Sequence, residues 1–256
     1  VSEANASEAP VFGTTVSASA GSDSTVGGPV FRLRSVGVEY VTPAGPVSGL
    51  RDVALDVART GVTVLAGPSG SGKSTLLRLL GLVERPTTGT VAFDGTDVAS
   101  LSHQRRRELR RRRLSLVFQN PLDNLLPALS VGENLHAAAE SSDRDCVPEE
   151  ILADLGLDGT AAWRIGALSG GQQQRLAFGC VLARGTDVVL SDEPTSQLDS
   201  ASADLVLDTL RRLAGRGLTV VVTSHDPELI ALGTHVVRLR DGAVDDGPVD
   251  GGGPDA

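Results

Sequence analysis

The chain has 256 residues, 40% of them hydrophobic and 21% charged, enough to bury a sizeable core in one large domain or two small ones. Aromatic residues make up only 3%, too few for a platform that stacks single-stranded nucleic acid, and no apolar run approaches the roughly 18 residues that span a bilayer. Residues 1–29 carry three acids and no base, and residues 241–256 carry five acids and no base. The formal net charge of −9 therefore leaves 30–240 at −1, a weak electrostatic partner for nucleic acid.

In chain order, residues 1–29 are rich in Ser, Ala, Gly and Thr and read as a disordered acidic tail, with no basic-then-apolar pattern of a secretory leader. Val30–Val38 and Leu50–Val57 alternate with period two and are expected to be antiparallel strands separated by a Pro/Gly segment at 42–49. Val62–Ala66 is a short apolar run that stops at a glycine loop, and Lys73–Leu82 reads as a helix. Val91–Phe93 with the turn at Asp94–Gly95 suggests a further short strand, and Leu114–Phe118 a strand ending at Gln119. Helical stretches are expected at Val131–Glu140, Pro148–Leu155 and Gly170–Arg184, and a crossover helix at Ser200–Leu213. Val188–Leu190, Leu218–Val222 and Val236–Leu239 are apolar runs of the kind found in buried parallel strands. The alternation implies an α/β fold with a parallel central sheet. A flexible acidic tail is expected over 241–256.

Cys146 and Cys180 form no C-x-x-C pattern, which suits buried or idle thiols rather than a disulfide framework or zinc site. More informative is the basic composition. There is one lysine, Lys73, against 22 arginines. Where a guanidinium would serve, this chain uses one, so its single ammonium is expected to do something arginine cannot.

That lysine lies in Gly67-Pro68-Ser69-Gly70-Ser71-Gly72-Lys73-Ser74-Thr75, a G-x-x-x-x-G-K-[ST] loop between a strand and a helix. Glycines let successive N–H groups turn toward phosphate oxygens, and the helix N-terminus adds positive potential. Lys73 is expected to reach the β- and γ-phosphates as a point charge, and Ser74 to offer a hydroxyl to Mg²⁺. Downstream, Asp192 and Glu193 end the apolar run Val188-Val189-Leu190-Ser191. In open parallel sheets, ligands sit at that end of the strands. Asp192 is placed to hold Mg²⁺ through water, and Glu193 to orient and deprotonate an attacking water. Leu168-Ser169-Gly170-Gly171-Gln172 opens another helix. It reads equally as a plain N-cap or as a second anion site.

Taken together, Gly67–Thr75, Gln119, Leu168–Arg175, Ser191–Thr195, Ser196–Asp199 and His225 resemble, in order and spacing, the ATP-binding-cassette (ABC) ATPases, over about residues 30–245. The resemblance implies an ABC ATPase domain over 30–240: a parallel-sheet phosphate-loop core, an antiparallel β subdomain, and a helical subdomain at about 120–168. It implies ATP and Mg²⁺ as cofactors and assigns roles by position. Tyr40 stacks on adenine. Gln119 senses Mg²⁺ and the attacking water. Ser169, Gly170 and Gly171 contact the γ-phosphate held by another subunit. Asp199 communicates across a dimer, and His225 is the γ-phosphate switch.

The resemblance further implies a head-to-tail dimer that sandwiches two nucleotides and drives separate membrane permease subunits from the cytoplasmic side of the membrane. Short stretches such as Leu125-Leu126-Pro127-Ala128-Leu129-Ser130 are most similar to the lipoprotein-release and macrolide-export group. Export or release of a lipophilic compound, peptide or lipoprotein is therefore expected. A regulatory ABC ATPase on a membrane partner, or a soluble one acting on nucleic acid, are the alternatives. Leu125, Leu126 and Leu129 suit either a permease groove or the helical core. The run 101–113 holds seven arginines and is expected to be a solvated helix, with anionic lipid or nucleic acid as the competing reading.

Overall fold

The computed structural model describes residues 28–245. Of the expected tails, 1–27 and 246–256 lie outside the described residues. Two sheets organise the rest. The first is antiparallel, built from β1 (Phe31–Thr42), β2 (Gly45–Val57), β4 (Thr88–Phe93) and β5 (Thr96–Asp97), in the order β2-β1-β4-β5. The second contains β3 (Val62–Ala66), β6 (Leu114–Val117), β7 (Val188–Asp192), β8 (Thr219–Ser224), β9 (His235–Arg240) and β10 (Ala243–Val244), in the order β10-β9-β3-β8-β7-β6. Strands β9, β3, β8, β7 and β6 are mutually parallel, with β10 antiparallel at one edge.

The Pro/Gly segment expected at 42–49 is part of a hairpin. Its strands pair through to Thr42 opposite Gly45, and Gly45 adopts φ 111°, so Pro43 and Ala44 alone make the turn. The acidic tail expected from 241 also begins differently. Asp241 and Gly242 turn the chain back, and β10 pairs with β9. The Gly242 N–H donates to the Ser71 carbonyl and its own carbonyl accepts from Arg51, which ties this turn to the glycine loop.

Helix α1 (Lys73–Leu80) buries Leu76, Leu77, Leu79 and Leu80 between the two sheets, in a core with Phe31, Leu33, Val53 and Phe93. It is shorter than the expected Lys73–Leu82, because Gly81 caps it and Leu82 turns to φ 54°. Helix α6 (Ser200–Gly215) and α7 (Pro227–Leu232) cover the other face of the parallel sheet, through Val206, Leu210, Leu213 and Leu229. A third core belongs to the helical region. Here α3 (Val131–Glu140), α4 (Pro148–Asp154) and α5 (Gly170–Arg184) gather around Val131, Leu135, Leu152, Leu155, Leu168 and Leu176. Leu125 joins this core, Leu129 is half-buried, and Leu126 is exposed, so the two readings of these leucines divide among them.

The arginine run forms α2 (His103–Arg113), and it is not uniformly solvated. Arg106 is buried and donates to the carbonyls of Leu82 and Glu84, where the chain leaves α1; Arg110 also donates to Leu82. Arg105 and Arg112 pair with Glu108, Arg111 and Arg112 with Asp143, and Arg113 with Asp94 and Asp187. Much of the run's charge is therefore met within the chain, which weakens the nucleic-acid reading. Cys146 and Cys180 are free thiols. Burial pushes the Cys180 thiol up to about 12, so it is no nucleophile near neutral pH.

Candidate active site

Strand β3 is buried throughout and ends at the carboxyl edge of the sheet, where the chain enters the glycine loop. Gly67, Gly70 and Gly72 have φ of 152°, 79° and 99°. A Cβ at Gly67 would lie 2.3 Å from the Leu239 carbonyl oxygen, and one at Gly72 would lie 2.7 Å from that of Gly49. Both conformation and space therefore require glycine. Pro68, Ser69 and Gly70 form an exposed rim. Gly72 precedes α1 without any side-chain cap, which leaves the first helical N–H groups open toward the loop. Ser71 is buried, and its Oγ has no hydrogen-bond partner. Unpaired donors at the mouth of a helix are what a phosphate would satisfy.

Lys73 is only 6% exposed. Its Nζ donates to the carbonyls of Gly67 at 2.7 Å and Pro68 at 3.0 Å, and lies 3.6 Å from Glu193 Oε1. The next residue, Ser74, donates from Oγ to Asp192 Oδ1 at 3.2 Å. Glu193 follows the last residue of β7 with φ 45°, a conformation that costs a non-glycine residue about 1–3 kcal/mol and marks a held position. Its Oε2 lies 2.7 Å from His225 Nδ1, and the imidazole is itself well exposed. Four residues expected to act together, Lys73, Asp192, Glu193 and His225, are thus brought around one loop.

Gln119 lies just beyond β6. It hydrogen-bonds to neither Ser74 nor Asp192. Its Nε2 donates to Ser196 Oγ at 2.9 Å, and that hydroxyl donates to the Glu193 carbonyl at 3.0 Å. Tyr40 packs against the core beside α1. Its hydroxyl donates to Glu84 Oε2 at 2.6 Å and lies 3.3 Å from Thr75 Oγ1. Thr223 and Ser196 were not among the expected site residues. A threonine at the end of the otherwise aliphatic run Val220-Val221-Val222 was the available signal for the first.

The donors fit Mg²⁺. Ser74 Oγ and Asp192 offer hard oxygens, and among the described residues no three His, Cys, Asp or Glu side chains are arranged to hold one metal ion between them. An ion that keeps several waters and takes its remaining ligands from substrate phosphates needs no more. Zinc, by contrast, calls for a denser set of protein ligands.

Ser169, Gly170 and Gly171 form a second helix mouth. Ser169 caps α5 in a reciprocal capping box: its Oγ accepts from the Gln172 N–H, and Gln172 Oε1 accepts from the Ser169 N–H. Ser169 and Gly170 are exposed, whereas Gly171 is buried against Ser202 of α6. Asp199 caps α6. Hydrogen bonds from the Ser202 hydroxyl and N–H hold its carboxyl below the usual range.

A parallel sheet that presents a capless glycine loop, a lysine and two acids at its carboxyl end defines a phosphate-loop nucleotide-binding fold. Comparison with known proteins narrows this class. The ABC transporter family model matches residues 50–196. An ABC transporter ATP-binding protein of Thermotoga maritima is 39% identical over 204 residues, covering 78% of this chain and 86% of that protein. The macrolide export ATP-binding/permease protein MacB 1/2 of Paracoccus denitrificans is 39% identical over 223 residues, 85% of this chain but 33% of the relative. The chain thus spans about a third of the length of such macrolide-export relatives. The dimeric ATP-binding cassette MJ0796, in a post-hydrolysis state bound to ADP and Pi, superposes with a TM-score of 0.75 at 32% identity, covering 84% of this chain and 96% of that one. The chain belongs to the ABC transporter family, as an ATPase cassette.

Proposed function

We propose that this chain binds and hydrolyses ATP as the motor of an exporter-type ABC transporter, working from the cytoplasmic side of the membrane on a membrane permease. The observation that carries the reading is the convergence of Lys73, the Ser74–Asp192 contact and the Glu193–His225 contact at the mouth of the glycine loop. The loop's open N–H groups and Lys73 take the β- and γ-phosphates, and Tyr40, beside Thr75, lies toward the adenine. Ser74 and Asp192 would hold Mg²⁺, with Gln119 as its expected sensor, and the ion would offset charge on the phosphate oxygens.

Glu193 holds a water in line with the γ-phosphorus and takes its proton. The water oxygen bonds to phosphorus as the bond to the β,γ-bridging oxygen breaks, leaving ADP and inorganic phosphate. His225, held by Glu193, steadies the γ-phosphate. The rate gain is positional and electrostatic.

The exposed mouth at Ser169 and Gly170 completes the site of a second copy in a head-to-tail dimer, and MJ0796 is dimeric. ATP bridges the copies, and hydrolysis lets them part. Val83, Phe118, Leu122 and Leu126 are large apolar side chains 44–54% exposed, and they supply the face for the permease. Phe118 and Leu126 line a cleft of about 280 Å³ between β6 and the helical region. The likeness to macrolide-export proteins supports export of a lipophilic compound or peptide. The test is Glu193→Gln: it should bind ATP, fall to a few per cent of wild-type turnover, and run as a dimer in ATP by light scattering. Normal turnover by that variant would remove Glu193 as the base.

A further inference from the structure

We infer that Thr223 is a positioning residue that sets both acids of the site through a single hydroxyl; the inference rests on the hydrolytic reading above. Thr223 lies in β8, directly opposite Asp192 in the parallel register, and is fully buried. Its Oγ1 donates to Asp192 Oδ1 at 2.6 Å and accepts the Glu193 N–H at 2.9 Å. A hydroxyl has one proton and two lone pairs, so both bonds are made at once without competition.

Each bond meets a specific need. Asp192 Oδ1 also accepts from Ser74, so two hydroxyls hold this one oxygen. Both of these hydrogen bonds fall on Oδ1, so Oδ2 would be available to the ion. Glu193 stands just past the end of β7, where its N–H leaves the β7–β8 ladder. Thr223 restores that lost partner and pins the residue at its φ of 45°, which directs the carboxylate toward Lys73 and His225. A valine here would fill the same space and pair in the same strand, yet could do neither.

The experiment compares Thr223→Val and Thr223→Ser with wild type, measuring ATP turnover, the Mg²⁺ concentration for half-maximal activity, the melting temperature, and affinity for a fluorescent ATP analogue with and without Mg²⁺. Thr223→Val should lose about ten-fold or more in kcat, require more Mg²⁺, and bind the analogue as wild type does in EDTA but more weakly with Mg²⁺. Thr223→Ser should recover most of the kcat and the Mg²⁺ response. Unchanged kcat and Mg²⁺ response in a folded Thr223→Val would overturn the inference. If the valine variant does not fold, Thr223→Ser decides: a kcat as low as that of an Asp192→Asn control overturns it. A wild-type chain without ATPase activity would instead sink the functional reading itself.

Discussion

Replacing the only lysine with the residue this chain prefers elsewhere tests why an ammonium stands at 73. Lys73→Arg keeps the charge and changes only the shape of its head. Nζ sits 2.7 and 3.0 Å from two carbonyls of its own loop, in a pocket that leaves the residue 6% exposed. A guanidinium is planar and wider, and it cannot point one nitrogen at both carbonyls and at an incoming phosphate. Losing one charge-assisted hydrogen bond costs about 1.5–3 kcal/mol, and overpacking a filled site about 1–3 kcal/mol. Only the lost hydrogen bond separates the free enzyme from the transition state, giving a loss of roughly 10- to 150-fold in kcat/KM, while the overpacking lowers the melting temperature. Phosphate release across a range of ATP concentrations measures it, with thermal melting to show that the variant is folded. A Lys73→Arg protein within two-fold of wild type would refute the reasoning, because charge alone would then suffice.

Two glycines at the mouth of α5 should separate folding from function. A Cβ at Gly170 would meet nothing nearer than 3.6 Å, so Gly170→Ala should melt as wild type does but lose ATP-dependent dimerisation and turnover. A Cβ at Gly171 would lie 2.6 Å from Ser202 Cβ, so Gly171→Ala should lose about 1–3 kcal/mol of stability by denaturant unfolding; an unchanged midpoint would contradict that packing. Burial alone would raise the Asp94 carboxyl, but hydrogen bonds from Arg59 and Arg113 hold it below the usual carboxylate range. Its stabilisation is therefore complete above the ordinary carboxylate pKa and is lost as pH falls through the depressed one. Asp94→Asn removes it at every pH while tolerating the φ of 48°, so the gap in melting temperature from wild type should be full at pH 7 and close as pH falls below about 4. A gap that persists unchanged at pH 3 would exclude this ion pair as its source.

Most of the order of strands and helices, the glycine loop and the acids at the strand end were legible from residues alone, because each depends on neighbours in the chain; β5, α7 and β10 were not. Helices α3 and α5 run over the residues expected of them, Val131–Glu140 and Gly170–Arg184. Their starts are set by Ser130 with Glu133 and by Ser169 with Gln172, capping boxes that close within four residues.

What needed the folded chain were contacts between distant segments. Ser74 and Asp192 meet across 118 positions, and Gln119 and Ser196 across 77. Arg106 reads as one more solvent-facing arginine until α2 is seen to lie over the end of α1. Leu125 and Leu126 are alike as letters, and only packing sends one inward and leaves the other exposed. Thr223 likewise looks like a strand-former in a β-branched run. Its meaning comes from parallel register, which sets it opposite Asp192, and no local preference carries that information.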